Sequence, residues 1–138
     1  MEPTVGILGL GYLGSTLARL VPWSPQSWGT CRPSSYPAIL SQQPLPVVPF
    51  DWTQTSSWEA LPTQSAILIL TIPPIRDLEA NQIHLKQWSA WMREHRPTCS
   101  RLLYVSTTGI YPKRAGVWTE DTGEEPDSLS GELRKQTE

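Results

Sequence analysis

The sequence predicts a doubly wound α/β domain, a parallel sheet of strand order 3-2-1-4-5 with helices in its crossovers. Three observations carry the prediction. Short apolar runs alternate with segments of helical period along the chain. The first run ends in a glycine cluster, GLGYLG, that opens directly into a helical pattern. A later run, AILILTI, is apolar toward both faces, as a central parallel strand must be.

The elements follow in order. VGILGL, Val5 to Leu10, reads as a buried strand. Leu13, Leu17 and Leu20 then recur at helical spacing and form the expected apolar face of the first helix, which ends before Pro22. SWGTCR, Ser27 to Arg32, reads as the second strand, and Pro33 to Gln43 as a loop or a short helix. PVVPFDW, Pro46 to Trp52, is a third strand weakened by Pro49, and Ser57 to Leu61 holds a helical turn. Ala66 to Ile72 is the fourth strand, stopped by Pro73 and Pro74. From Leu78 to His95 the pattern is helical, with Leu85, Trp88, Trp91, Met92 and His95 on one broad face and Asp77 as the cap. Arg101 to Thr107 reads as a fifth buried strand. A polar stretch with glycines and prolines follows, and a last helix opens near Ser130, its expected N-cap. Strands alternating with helices imply right-handed crossovers, and the result is a Rossmann unit lacking its sixth strand.

Composition bounds the function. The chain has 138 residues, a length that predicts one domain, residues 1–138, and a formal charge of −2. That balance gives no electrostatic case for nucleic acid or an anionic membrane. The longest apolar run, Ala66 to Leu70, is far short of the roughly 18 residues that read as a membrane span. With no basic N-terminal region and only Cys31 and Cys99, the expectation is a cytoplasmic protein with reduced thiols and no metal cluster. His84 and His95 lie eleven residues apart on one helix and are not expected to form a metal site, and Glu120, Asp121, Glu124 and Glu125 read as a solvated acidic loop.

The glycine cluster carries the most specific chemistry. GLGYLG places Gly9, Gly11 and Gly14 in the GxGxxG pattern between a strand and a helix, the context that gives the pattern meaning. Gly9 permits a tight turn, Gly11 lets a pyrophosphate approach the backbone, and Gly14 lets helix and strand pack closely. Tyr12 and Leu13 open the helix whose free N–H groups would face the phosphates. At the end of the second strand an NAD site ordinarily carries an acid for the ribose hydroxyl, but no Asp or Glu occurs between Arg19 and Phe50. Thr30 and Arg32 stand there instead. A guanidinium suits a 2′-phosphate, so NADP is expected in preference to NAD, with a plain surface charge as the alternative for Arg32. Asp51 and Trp52, at the end of the third strand, are candidates for the adenine edge and face, and Trp52 reads equally well as core.

Together with GTCR, STTGIYP and GVWTEDTGEEPDS, these residues make the chain resemble the extended short-chain dehydrogenase/reductases, the NAD-dependent epimerase/dehydratase family. The likeness is to an atypical branch of NAD(P)-dependent oxidoreductases. It covers the whole chain but only the N-terminal half of the family's usual length, so the C-terminal substrate domain is expected to be absent. The resemblance implies that Thr107, with Ser106 beside it, orients the substrate hydroxyl or carbonyl. It also implies a Tyr acid/base on the next helix, a Lys four residues later, and a homodimer.

Aligning Gly131 and Glu138 with the family's pattern puts Ser130 at the Tyr position and Arg134 at the Lys position. An alkyl hydroxyl is a far weaker acid than a phenol, and a guanidinium does not give up its proton. Tyr111 is a candidate displaced acid. The resemblance therefore implies nucleotide binding more directly than catalysis. Three readings stay open: a cofactor domain of an oxidoreductase or epimerase acting on a small molecule, a non-catalytic dinucleotide-binding module, and a non-functional truncated product.

Overall fold

The computed structural model describes residues 2–96, 98–106, 111, 114–121 and 125–138. Five parallel strands, β1 (Val5–Leu8), β2 (Trp28–Cys31), β3 (Val47–Pro49), β4 (Ile67–Leu70) and β5 (Arg101–Tyr104), form one sheet of order β3-β2-β1-β4-β5. Helix α1 (Tyr12–Leu20) links β1 to β2, the short α2 (Tyr36–Leu40) lies between β2 and β3, and α3 (Leu78–His95) links β4 to β5. A helical turn over Thr55–Ala60 precedes β4, and α4 (Leu129–Thr137) follows β5. This is the Rossmann-like α/β order expected from the sequence.

The chain divides into two compact units, Met1–Ile72 with Trp91–Val105, and Pro73–Ala90 with Ser106–Glu138. The first contains the sheet. Val5, Ile7, Val47 and Ile69 pack beside Leu10 and Ala18, and β1, at the centre, is buried along its whole length. Helix α1 corrects the expected apolar face. Its buried residues are Gly14, Ser15 and Ala18, while Leu13 and Leu20 are exposed and Leu17 packs partly against the core. Small side chains face the sheet because they let the helix approach it closely, and the leucines are displaced to the sides.

The strands are also shorter than their apolar runs, so Asp51 and Trp52 fall in the loop after β3. A further correction concerns β5, which is an edge strand and not a buried one: Leu102 and Leu103 are 49% and 52% exposed. An edge strand has one neighbour only, and an apolar run alone does not distinguish edge from centre.

The last turn of α3 belongs to the same unit. Trp91 stands edge-on to the buried Trp58 at 5.8 Å and stacks on the half-exposed His95. The Arg96 guanidinium lies 4.5 Å from the Trp91 ring and donates to the carbonyls of Leu61 and His95. This cation is buried, and burial pushes its pKa down.

In the second unit, Asp77 caps α3 as expected, accepting from the Ala80 N–H at 2.8 Å. The cap of α4 is Ser128 and not Ser130: its hydroxyl accepts from the Gly131 N–H at 3.1 Å. Leu129 and Ser130 already lie inside the helix. The buried residues of α3 are Asn81, His84 and Trp88, whereas Leu85 is half-buried. The broad face expected from Leu85 onward is therefore rotated toward two polar residues. Burial pushes the His84 pKa below 6.5. The unfolded chain then binds a proton more readily than the folded one, so this contribution to stability is fully present above the unfolded pKa and is lost as pH falls below about 6.5. The melting temperature of the protein should fall between pH 7 and pH 5, and His84→Gln should flatten that part of the profile relative to wild type.

Candidate functional site

The carboxyl edge of a parallel sheet is where open α/β domains bind ligands, and the first unit is built most elaborately there. After β1 the chain turns at Gly9, whose φ of 108° is open to glycine and strained for other residues. Gly14 closes the turn from the helix side: a Cβ there would sit 1.9 Å from the Gly9 carbonyl oxygen. Only hydrogen fits in that gap, and this fixes how closely α1 approaches β1. Gly11 differs, since a Cβ on it would meet nothing within 4 Å. Its outer side is open, and it is the N-terminal flanking residue of α1, with no side-chain cap over the helix end. An acceptor-rich group can reach the backbone there, next to the positive end of the helix dipole. These residues fit a dinucleotide pyrophosphate.

Two threonines hold the turn. The buried Thr30 accepts the Gly9 N–H on its hydroxyl at 3.0 Å, and its carbonyl accepts the Leu10 N–H at 2.7 Å. Thr71, just past β4, donates its hydroxyl to the Gly9 carbonyl at 2.6 Å, with the Leu8 carbonyl 3.1 Å away. The turn is thus clamped from both neighbouring strands. Thr30→Val would leave the Gly9 N–H without its acceptor, and the expected cost is about 1–3 kcal/mol, readable by denaturant unfolding.

The remaining cofactor candidates lie along the same edge. Tyr12 and Leu13 are exposed at the head of α1, Tyr12 almost fully. Arg32 directly follows β2 and is exposed, two residues beyond the Thr30 carbonyl that holds Leu10. The Phe50 N–H donates to the Cys31 carbonyl, which carries Asp51 alongside the end of β2. One Asp51 carboxylate oxygen accepts from the Thr53 N–H at 2.9 Å and from the Thr53 hydroxyl at 2.7 Å, a local turn. The Trp52 ring is buried against Phe50, with centroids 6.5 Å apart.

Ser106, Tyr111, Ser130 and Arg134, the candidate catalytic residues that are described, lie in the second unit. Thr107 lies outside the described residues. The Ser106 hydroxyl donates to the Glu138 carboxylate at the end of α4, and Tyr111 is half-buried. Ser130 and Arg134, one helical turn apart on α4, line a pocket of about 430 Å³ together with Leu129, Leu133, Pro73, Pro74 and Arg76. Helix α4 is held in place by Asn81, which is fully buried. Its carbonyl oxygen accepts the Ile75 N–H at 3.0 Å, and its amide donates to Gln136 at 2.8 Å and to Thr137 at 3.2 Å. Gln136 in turn donates to the Leu78 carbonyl.

Sequence reading missed Thr71 and Asn81. Thr71 carried a signal: it is the one polar residue in AILILTI, at the carboxyl end of a strand neighbouring the glycine turn. Asn81, inside an otherwise apolar-periodic helix, was a comparable signal. Among the described residues no group of three His, Cys, Asp or Glu side chains is placed to hold a metal ion, and no helix is long and apolar enough to cross a membrane.

No family model matches the chain, and no curated protein matches it. Solved structures do. A conserved protein of unknown function from Silicibacter pomeroyi matches with a TM-score of 0.69 at 20% identity, over 98% of this chain and 46% of its own. The ADP-L-glycero-D-manno-heptose-6-epimerase of Helicobacter pylori matches with a TM-score of 0.69 at 15% identity, over 99% and 49%. A mutated uronate dehydrogenase matches with a TM-score of 0.65 at 17% identity, over 99% and 52%. The chain spans about half the length of these structures. At these identities the likeness is one of fold: this chain has the Rossmann-like fold that an epimerase and a dehydrogenase also use.

Proposed function

We propose that residues 1–138 form a nicotinamide dinucleotide-binding domain of the extended short-chain dehydrogenase/reductase type, with NADP preferred over NAD. The observation that carries this reading is the glycine turn. Gly9 in its left-handed conformation, Gly14 against the Gly9 carbonyl and the open Gly11 make a backbone cradle at the head of α1. In this reading Gly9, Gly11, Tyr12, Leu13 and Gly14 receive the pyrophosphate. Arg32 takes the 2′-phosphate, and Asp51 lies toward the adenosine end, with Thr30 shaping the turn. The bound cofactor would supply hydride exchange at a carbinol or carbonyl carbon, and the protein would supply position and electrostatics. Ser106 and Thr107 are proposed to orient the reacting oxygen, with Tyr111 and Ser130 as the hydroxyls nearest in role to the family's acid, in a cytoplasmic homodimer.

The Arg32 assignment makes the reading testable. Charge-assisted contacts to a phosphate contribute about 1.5–3 kcal/mol, so Arg32→Gln should weaken NADPH binding about tenfold or more and leave NADH binding unchanged. Equal losses for both cofactors, or for neither, would remove Arg32 as the selector.

A second reading is a non-catalytic module that keeps the dinucleotide for stability or sensing. The observation favouring it is the pair Ser130 and Arg134, which lacks both the phenol and the titratable amine of the family's pattern. Hydride transfer on a panel of alcohols and carbonyls separates the two: measurable turnover excludes the module, and its absence beside intact NADPH binding supports it.

A further inference from the structure

Behind the glycine turn, Leu10 is held on three sides. Its side chain is buried over Gly29, where a Cβ would sit 2.7 Å from the leucine methyls. Its N–H donates to the Thr30 carbonyl at 2.7 Å, and its carbonyl accepts the Ser15 hydroxyl at 2.9 Å. Ser15 is itself buried on α1, and its N–H donates to the Gly11 carbonyl at 2.9 Å. In a trans peptide the C=O and the N–H point in opposite directions. Drawing the Leu10 carbonyl inward to Ser15 therefore aims the Gly11 N–H out of the turn, and that N–H has no partner among the described residues.

Gln43 decides which way the Ser15 hydroxyl points. From the loop between α2 and β3, its amide nitrogen donates to the Ser15 hydroxyl oxygen at 3.0 Å. A hydroxyl has a single hydrogen to give. With Gln43 donating to its oxygen, Ser15 sends that hydrogen to the Leu10 carbonyl. The Gln43 amide oxygen is buried and has no hydrogen-bond partner among the described residues, so the side chain acts here as a donor. Neither residue belongs to the GxGxxG pattern, and Gln43 stands 28 residues from Ser15 in sequence. We propose that Gln43 and Ser15 are positioning residues of the dinucleotide site. Gln43 fixes the Ser15 hydroxyl as a donor to Leu10, and that bond holds the Gly11 N–H toward the pyrophosphate. The inference rests on the dinucleotide reading of the glycine turn and adds to it a determinant of pyrophosphate affinity that touches no ligand.

The test is calorimetric titration of the 138-residue chain and its variants with NADPH and NADH. Ser15→Ala should weaken both cofactors about fivefold, as for one neutral hydrogen bond, and by the same factor because both carry the pyrophosphate. Gln43→Glu keeps the shape of glutamine but offers only acceptors when ionised, so it draws the Ser15 hydrogen away from Leu10 and should also weaken both about fivefold. Gln43→Met removes the donor without supplying a competing acceptor and should weaken both by about twofold at most. The double variant of Ser15→Ala and Gln43→Glu should bind no more weakly than Ser15→Ala, because the glutamate acts through the missing hydroxyl. Thermal unfolding establishes that each variant is folded. Gln43 is half-buried in a loop, so its two variants carry the test where Ser15→Ala does not fold. Gln43→Met losing as much as Gln43→Glu would make Gln43 a packing residue and overturn the proposal. Full addition of the two losses in the double variant would do the same by making the glutamate effect one of charge repulsion. Wild-type affinity or unequal losses in Ser15→Ala would also overturn it. Each of these leaves the dinucleotide reading standing, whereas a wild-type chain that binds neither cofactor removes that reading and the positioning role with it.

Discussion

Replacing Gly14 with alanine is expected to disable the glycine turn and lower stability by about 3 kcal/mol, the upper part of the range for overpacking a close contact. The added Cβ would lie 1.9 Å from the Gly9 carbonyl oxygen and 3.3 Å from an Ile7 methyl. The first distance is far inside van der Waals contact with backbone, which has no rotamer to change. Either α1 retreats from β1 or the peptide after Gly9 rotates. Retreat would pull the buried Ser15 and Ala18 from their places against the sheet. Rotation would break the 2.6 Å bond from Thr71. Alanine gains about 1 kcal/mol over glycine in intrinsic helix propensity, too little to offset either change. Both changes also alter the cradle at Gly11, so NADPH binding should be lost under conditions where the variant is still folded. Denaturant unfolding and NADPH titration of the same sample check the two parts of this expectation. Gly11→Ala, with nothing near its Cβ, should leave stability within about 1 kcal/mol of wild type and act on NADPH binding alone.

The second large effect is structural. Trp58→Ala should destabilise the protein by about 3–5 kcal/mol, the range for removing a large buried aromatic side chain. Trp58 is 2% exposed, donates its indole N–H to the Trp52 carbonyl at 3.1 Å, and meets Trp91 edge-on. The substitution removes the apolar surface, leaves a cavity beside Trp91, and takes the indole N–H donor from the buried Trp52 carbonyl. Trp58→Phe keeps most of the ring and loses the hydrogen bond, so it should cost about 1–3 kcal/mol. Equilibrium denaturation of the two variants separates packing from hydrogen bonding. Similar losses for both would place most of the effect in the indole N–H.

The two cases mark how far the sequence could be read. The glycine spacing was legible because each glycine has a local reason, and the strand order followed from alternation of apolar runs with helical segments. The face of α1 was not legible from hydrophobic period, since close packing selects Gly14, Ser15 and Ala18 over the neighbouring leucines. The β5 run, RLLY, looks like any buried strand, and its exposure depends on its place at the edge of the sheet. Ser128 and Ser130 are both acceptable caps by residue type, and only backbone geometry chooses between them. The least legible features were long-range. Thr71 meets Gly9 across 62 residues, and Asn81 meets Gln136 across 55. Such bonds are fixed by topology, while the sequence records only a polar residue in an apolar setting.

The central claim is that the turn over Gly9–Gly14 holds a nicotinamide dinucleotide, and thermal unfolding of the chain alone, with NADPH and with NADH tests it most directly. At about one hundred times its Kd a ligand adds about 2.7 kcal/mol, a shift of several degrees for a domain of this size. The account predicts a cooperative transition raised by both cofactors and raised further by NADPH. A cooperative transition that neither cofactor moves would contradict it.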